Sequence, residues 1–367
     1  MKPFRILCLV LFPGALNSVQ LAKVSRVMDF KKVFRSNVVA VAVSGIVGIV
    51  LAYLGAGVWA LVAQNLLNVT VAAIVIWFTV KWRPMLVCNI RRIAELFSYG
   101  WKLLVSGLID TIYNDIYSLV IGRRYDAGSL AYYNRGKQFP QFIINAINTT
   151  IQTVMLPAMS MEQNDRTKVK VLMQNSICVS SFLIFPMMAG LAGIATPMVQ
   201  LLLTDKWLPC VPYLRISCFS LAFLPVHSCN LQAINAMGRS DIFLKLEIIK
   251  KQSACVLVTM VACFDSPLVV AMTGVVTTIT SSFINAFPSK KLIGYSYLEQ
   301  MRDILPSFLA SLIMLGAVLF VGSLNIPNLV KMLLQIVTGI VVYFVIAATT
   351  KMKPFQFVVG MIRNKRK

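Results

Sequence analysis

Charge is scarce in this chain of 367 residues: Asp, Glu, Lys and Arg together make up 13%, about half the share of a soluble domain. Acidic residues are the scarcest, with 13 Asp and Glu against 35 Lys and Arg, and there is one histidine, His227. These shortages exclude a good deal. No Gly-rich phosphate loop occurs, so direct use of ATP is not expected. One histidine and few carboxylates provide no Ser-His-Asp set and no cluster of metal ligands. The outer loops are short, which leaves little room for an extramembrane catalytic site. Neither cofactor nor metal is expected, and the chain does not read as an enzyme. The eight cysteines (Cys8, Cys88, Cys178, Cys210, Cys218, Cys229, Cys255 and Cys263) contain no C-x-x-C pair. Most fall inside apolar runs and read as small buried hydrophobes.

Apolar residues, by contrast, are abundant. The hydrophobic class reaches 58%, and the mean hydropathy is +0.76. Several runs reach the roughly 20 residues that cross a bilayer. The fold class is therefore all-α: a polytopic membrane helix bundle. Apolar length divides it into about eleven spans, near 4–22, 37–54, 57–80, 97–121, 130–157, 172–203, 208–236, 243–263, 266–287, 303–323 and 328–350. Pro186 and Pro197 mark the long sixth stretch as kinked or broken, which helices buried in protein tolerate.

The net charge of +22 would suggest nucleic acid in a soluble protein. In a membrane protein it reflects cytoplasmic loops, which collect Lys and Arg, so no nucleic-acid partner is expected. Alternate loops are basic: Lys23 to Arg35, Lys81 to Arg92, Arg166 to Lys170, Arg239 with Lys245, Lys290 to Arg302, and the tail from Lys351 to Lys367. The opposite loops after the first span offer only Arg123, Arg124 and Lys206, with Lys331 at a helix entrance. This asymmetry predicts a C-terminus on the cytoplasmic side of the membrane. Eleven spans would then put Met1 outside, although no cleavable signal is evident. An odd number of missing upstream helices resolves the conflict, so an N-terminally truncated chain is expected.

Polar residues inside spans point to function. In the fourth span Lys102, Ser106, Asp110, Asn114 and Tyr117 share one helical face. In the fifth, Asn134, Gln138, Gln141, Asn145, Asn148 and Gln152 form a stripe about 27 Å long. Amides facing lipid would cost several kcal/mol, so the stripe predicts a water-filled cavity, with interhelical hydrogen bonding as the plainer reading. Arg135, Lys137 and Arg215 lie about two turns into their spans. Lys250 and Lys251 fall in a span whose apolar part is too short, with Glu247 one turn away. His227 reads as a packing histidine, with proton relay as the alternative. A polar, cationic cavity suits a phosphate-linked sugar.

Four segments carry a family resemblance: Gly-Val-Trp-Ala-Leu-Val-Ala-Gln at 57–64, Phe-Ser-Tyr-Gly-Trp-Lys-Leu-Leu at 97–104, Tyr-Tyr-Asn-Arg-Gly-Lys-Gln-Phe-Pro at 132–140 and Leu-Gln-Ala-Ile-Asn-Ala-Met-Gly-Arg-Ser-Asp at 231–241. With them the chain resembles bacterial polysaccharide biosynthesis flippases, the WzxC-like branch of the multidrug/oligosaccharidyl-lipid/polysaccharide exporter superfamily. The resemblance implies a two-lobe exporter-like fold of fourteen helices with the first three missing. On that basis 1–92 would be the remnant of the N-terminal lobe and 93–295 the C-terminal six-helix lobe. Residues 296–367 would hold two extra helices and a basic tail. It implies flipping of an undecaprenyl-pyrophosphate-linked oligosaccharide to the periplasmic leaflet by alternating access. Expected partners are that lipid-linked oligosaccharide, membrane lipid and proteins of polysaccharide assembly. The expected cavity set is Arg135, Lys137 and Arg215 for phosphate and Tyr117, Asn134, Gln138, Gln141 and Asn145 for sugar hydroxyls, with Lys102, Asp110 and Asn114 also lining the cavity. Two other readings stay open. One is a cation-coupled small-molecule exporter using Asp110 or Asp115; the other is a membrane enzyme of polysaccharide assembly.

Overall fold

The computed structural model describes residues 2–27, 30–80, 97, 101, 105, 108, 111, 115–261, 264 and 266–356. Among these, seven helices are long and apolar enough to cross a membrane. The protein is a multi-pass helical membrane bundle. It divides into two compact units, Met1–Tyr99 and Gly100–Lys367.

In the first unit, α1 (Lys2–Leu7) passes through a 3-10 turn into α2 (Leu11–Val27), followed by α3 (Phe30–Tyr53) and α4 (Val58–Thr79). The α3–α4 hairpin turns on Gly55 (φ 77°) and Gly57 (φ 55°), left-handed conformations that glycine adopts without a Cβ clash. The helices approach closely at Gly48, where a Cβ would come within 3.2 Å of Gln64. Polar atoms tie the pair. Ser36 Oγ donates to Ala72 O (2.8 Å), and Asn68 Nδ2 donates to Ser44 Oγ (3.1 Å). Asn68, part of a glycosylation-like triplet in sequence, is thus helix-to-helix glue.

The first continuously described helix of the second unit is 115–124, α5. It continues through α6 (Ala127–Met161), α7 (Arg166–Gly193), α8 (Ala195–Leu203), α9 (Val211–Ala222), α10 (Leu224–Ala236), α11 (Ser240–Val261), α12 (Pro267–Ile293), α13 (Tyr297–Gly322) and α14 (Asn328–Thr349). The starts are written locally. Asp126 caps α6 by accepting from Ser129 N, and Asp165 caps α7 by accepting from Thr167 N and Lys168 N. Ser296 and Glu299 form a reciprocal capping box on α13.

The expected sixth span is two helices, broken at Ile194, between α7 and α8. Pro186 does not break it. A proline leaves the carbonyl four residues earlier without its helical donor, and here Tyr343 Oη donates to that carbonyl, Phe182 O, at 2.8 Å. The expected seventh span is likewise two helices, α9 and α10, which meet at Phe223 with Pro225 in the first turn of α10.

The core of this unit lies where α6, α7, α9 and α10 meet, around Ile144, Ile177, Ile184, Phe185, Leu214 and Val226. Gly136 makes the α6–α9 contact possible, because a Cβ there would fall 2.8 Å from Cys210 O and Leu214 N. A buried polar cluster locks α10 to α12 and α13. Asn230 Nδ2 donates to Gln300 Oε1 (2.7 Å), Gln300 Nε2 to Asn230 Oδ1 (3.2 Å) and Ser289 Oγ to Asn230 Oδ1 (2.7 Å).

Candidate functional site

A polar cavity of about 440 Å³ opens among α5, α6 and α9 to α12. Its charged wall consists of Lys137 from α6 with Glu247, Lys250 and Lys251 from α11, three cations against one carboxylate. Lys250 is 3% exposed and donates to Glu247 Oε1 at 2.5 Å, while Glu247 keeps 25% of its side chain exposed. The two residues are one helical turn apart, so α11 itself makes the pair. A buried ammonium needs such a partner, because removing it from water is costly.

The uncharged wall is rich in hydroxyls. Tyr117 Oη and Thr277 Oγ1 lie 3.0 Å apart and bridge α5 to α12. Ser217 and Ser220 come from α9. His227 Nδ1 lies 2.7 Å from Asn285 Nδ2 and accepts from it, which leaves the ring proton on Nε2. This is the packing role expected for His227, but at the cavity wall.

The expected site residues separate into groups. Lys137 and Tyr117 line the cavity. Arg135 does not: its guanidinium stacks 5.1 Å from the Trp207 ring centroid and donates to Gln138 Oε1 at 2.8 Å. Arg215 faces a different, apolar cavity of about 290 Å³ lined by Phe185, Phe219 and Phe308. Its Nε donates to Ala192 O (3.2 Å) and its Nη2 to Thr196 Oγ1 (3.4 Å), a cation at the C-terminal end of α7 where the helix dipole favours it. Asn134, Gln138 and Asn145 are exposed and Gln141 is half-buried on the neighbouring face of α6. Ser118 Oγ donates to Asn134 Oδ1 (3.0 Å) and Gln141 Nε2 to Asn145 Oδ1 (2.8 Å). Further along the stripe, Asn148 accepts from Ser228 Oγ at 2.5 Å, which is interhelical glue. Lys102, Asp110 and Asn114 lie outside the described residues.

The hydroxyl face of α12 went unnoticed in the sequence, although Gly274, Thr277, Thr278 and Ser281 recur at spacings of three and four. That period was the available signal. Lys250 and Lys251 were visible as charges in a short apolar run, but nothing local pointed them toward Lys137, more than a hundred positions away.

At the helix ends, Asp126 is held below the usual carboxylate range by the Ser129 hydroxyl and then by backbone N–H groups. Glu299 is lowered chiefly by the Ser296 backbone N–H. The Glu162 carboxylate raises Lys168. These groups sit at the ends of α6, α7 and α13.

The profile of a family described as polysaccharide biosynthesis protein matches residues 1–212. The succinoglycan biosynthesis transport protein ExoT of Rhizobium meliloti (strain 1021) is 22% identical over 355 residues, covering 93% of this chain and 70% of ExoT. The teichuronic acid biosynthesis protein TuaB of Bacillus subtilis (strain 168) and the lipopolysaccharide biosynthesis protein WzxC of Escherichia coli (strain K12) are each 25% identical, over 44% and 46% of this chain. The chain spans 34% of each of those two proteins. The solved structure of the lipid II flippase MurJ in an inward closed conformation superposes with a TM-score of 0.69 at 18% identity. That match covers 85% of this chain and 66% of MurJ, and at this identity the likeness shows the fold.

Proposed function

Because the chain belongs to the polysaccharide biosynthesis protein family, we propose that it carries a lipid-linked oligosaccharide across the membrane by alternating access. The observation that supports this most is the cavity with three lysines and one carboxylate inside a membrane bundle. Intramembrane charge on this scale is expensive and marks a substrate path. At about 440 Å³ the cavity falls in the size range of small-molecule sites, enough for a pyrophosphate and the first sugar.

In this reading Lys137 and Lys251 neutralise the pyrophosphate of an undecaprenyl-pyrophosphate-linked chain. Lys250, held by Glu247, sets the field and the position of its helix. Tyr117, Ser217, Ser220 and Thr277 bond sugar hydroxyls. The exposed amides Asn134, Gln138, Gln141 and Asn145 continue the polar path beyond the cavity. Arg135 and Arg215 act as positioning residues, the first through Trp207 and the second through the end of α7. Residues 1–92 are read as part of an N-terminal lobe, 93–295 as the C-terminal lobe, and 296–367 as two added helices with a basic tail.

The protein acts here as a carrier rather than an enzyme. The basic loops support a C-terminus on the cytoplasmic side, and the family supports a bacterial inner membrane. Its partners are the lipid-linked oligosaccharide and proteins of polysaccharide assembly. A cation-coupled drug exporter would need a carboxylate free to take the cation. Glu247, the carboxylate at the cavity wall, is instead engaged by Lys250.

Complementation tests the reading. A strain deleted for the gene should lose surface polysaccharide, the native chain should restore it, and Lys137→Ala should not restore it at equal membrane levels. Full restoration by Lys137→Ala, or a deletion strain with normal polysaccharide, would overturn the assignment.

A further inference from the structure

A second polar cavity, of about 710 Å³, lies at the end of the bundle where α7 and α13 begin and α14 finishes. It shares no lining residue with the lysine cavity. Arg302 of α13 lines it, with Lys351 and Lys353 just past α14 and the amide of Asn175 from α7. One carboxylate, Asp303, is in the wall and is already engaged, accepting from Tyr295 Oη (2.6 Å) and Gln174 Nε2 (2.7 Å). Among the described residues none of the three cations makes an ion pair. The cavity wall therefore carries three positive charges against one negative, and among the described residues no carboxylate pairs with the excess.

The backbone adds an independent observation. Lys351 has φ 48°, the left-handed conformation in which helix C-termini usually place glycine. At the end of α12 the corresponding residue is Gly294, with φ 74°. Lys351 N donates to Ala348 O and Met352 N to Ala347 O, each at 3.3 Å, so the turn is a regular helix stop held by a residue that resists it. Strain kept at a cavity wall marks a side chain with a use. The depth is informative as well. Arg302 is five residues past the start of α13, and Lys351 is two past the end of α14; both are membrane-spanning helices. Lipid headgroups lie at that level.

We propose that this cavity binds a phosphate-bearing anion, the headgroup of an anionic membrane phospholipid. Arg302, Lys351 and Lys353 neutralise its phosphate and Asn175 donates to it. A basic pocket between spanning helices at one membrane surface is the form such headgroup sites take. The lipid would staple α7, α13 and the exit of α14 together, away from the proposed transport path.

The test uses the full chain in lipid nanodiscs, with native mass spectrometry and thermal melting as readouts. Phosphatidylglycerol, phosphatidylcholine and inorganic phosphate serve as probes. The native chain should retain phosphatidylglycerol over phosphatidylcholine and melt higher in it. Lys351→Gly removes a charge and suits the left-handed backbone, so it should fold at least as well yet retain the anionic lipid about fivefold less. Adding Lys353→Gln should cost about fivefold again, whereas Lys206→Gln should change nothing. Equal retention of the two lipids, or undiminished phosphatidylglycerol binding in the double variant, would overturn the proposal. Displacement of phosphatidylglycerol by millimolar inorganic phosphate with equal stabilisation would overturn the headgroup assignment in favour of a soluble phosphate.

Discussion

Replacing Glu247 by Gln removes the carboxylate that holds Lys250 and keeps the shape of the side chain. At 2.5 Å the gross attraction of the pair is about 7 kcal/mol at an effective dielectric of about 20. Most of that is offset by desolvation, and the offset falls mainly on Lys250, which is 3% exposed. Breaking a fully buried pair costs about 3–5 kcal/mol. Glu247 keeps a quarter of its surface, so water recovers part, and about 1–3 kcal/mol is expected for Glu247→Gln. Lys250→Met should cost less, because Glu247 is left with access to solvent. The double variant should be more stable than the sum of the singles by at least about 1 kcal/mol. Equilibrium unfolding of all four proteins in one detergent gives the cycle. Strictly additive effects would refute the pairing as an energetic unit.

Other expectations follow from the same packing. Gly136→Ala should destabilise by about 1–3 kcal/mol, since the new Cβ meets the α9 backbone at 2.8 Å; an unchanged melting temperature would contradict the close α6–α9 contact. Asn230→Leu strands Gln300 and Ser289 and should cost about 1 kcal/mol, the scale of interhelical hydrogen bonds in membranes, as read by melting. Asp126 and Glu299 are held below their ordinary range, so their caps stabilise above the unfolded carboxylate values and fade as pH falls through the lowered ones. Hydrogen exchange at the first turns of α6 and α13, corrected for intrinsic rates, should rise at pH 3 relative to mid-helix positions. No rise there would remove the caps from the account.

The helical class was legible because apolar length is a local property. The caps at Asp126, Asp165 and Ser296, which the structure adds, are set by partners only two or three positions away. The polar faces were partly legible: Lys137 and Tyr117 reach the cavity, and Lys250 was marked by a charge in a run too short to span. Arg135 and Arg215 show where local reading stops. Depth along a helix is given by rise per residue, but direction around the bundle depends on partners such as Trp207 and Ala192, which lie 72 and 23 positions away. Pro186 carries the same lesson. A proline predicts a break, and only the fold supplies Tyr343, 161 positions from Phe182, to satisfy the freed carbonyl.

The central claim is that the cavity lysines hold the anion of a lipid-linked oligosaccharide as it changes leaflet. Proteoliposomes containing the full chain and a lipid-linked oligosaccharide test it most directly, by the rate at which inner-leaflet lipid becomes accessible to an impermeant glycosidase added outside. The native chain should expose it faster than protein-free vesicles. Lys137→Ala should slow that rate roughly 10- to 100-fold, the worth of one charge-assisted hydrogen bond, with melting unchanged. A native rate equal to that of empty vesicles, or a Lys137→Ala rate equal to native, would contradict the claim.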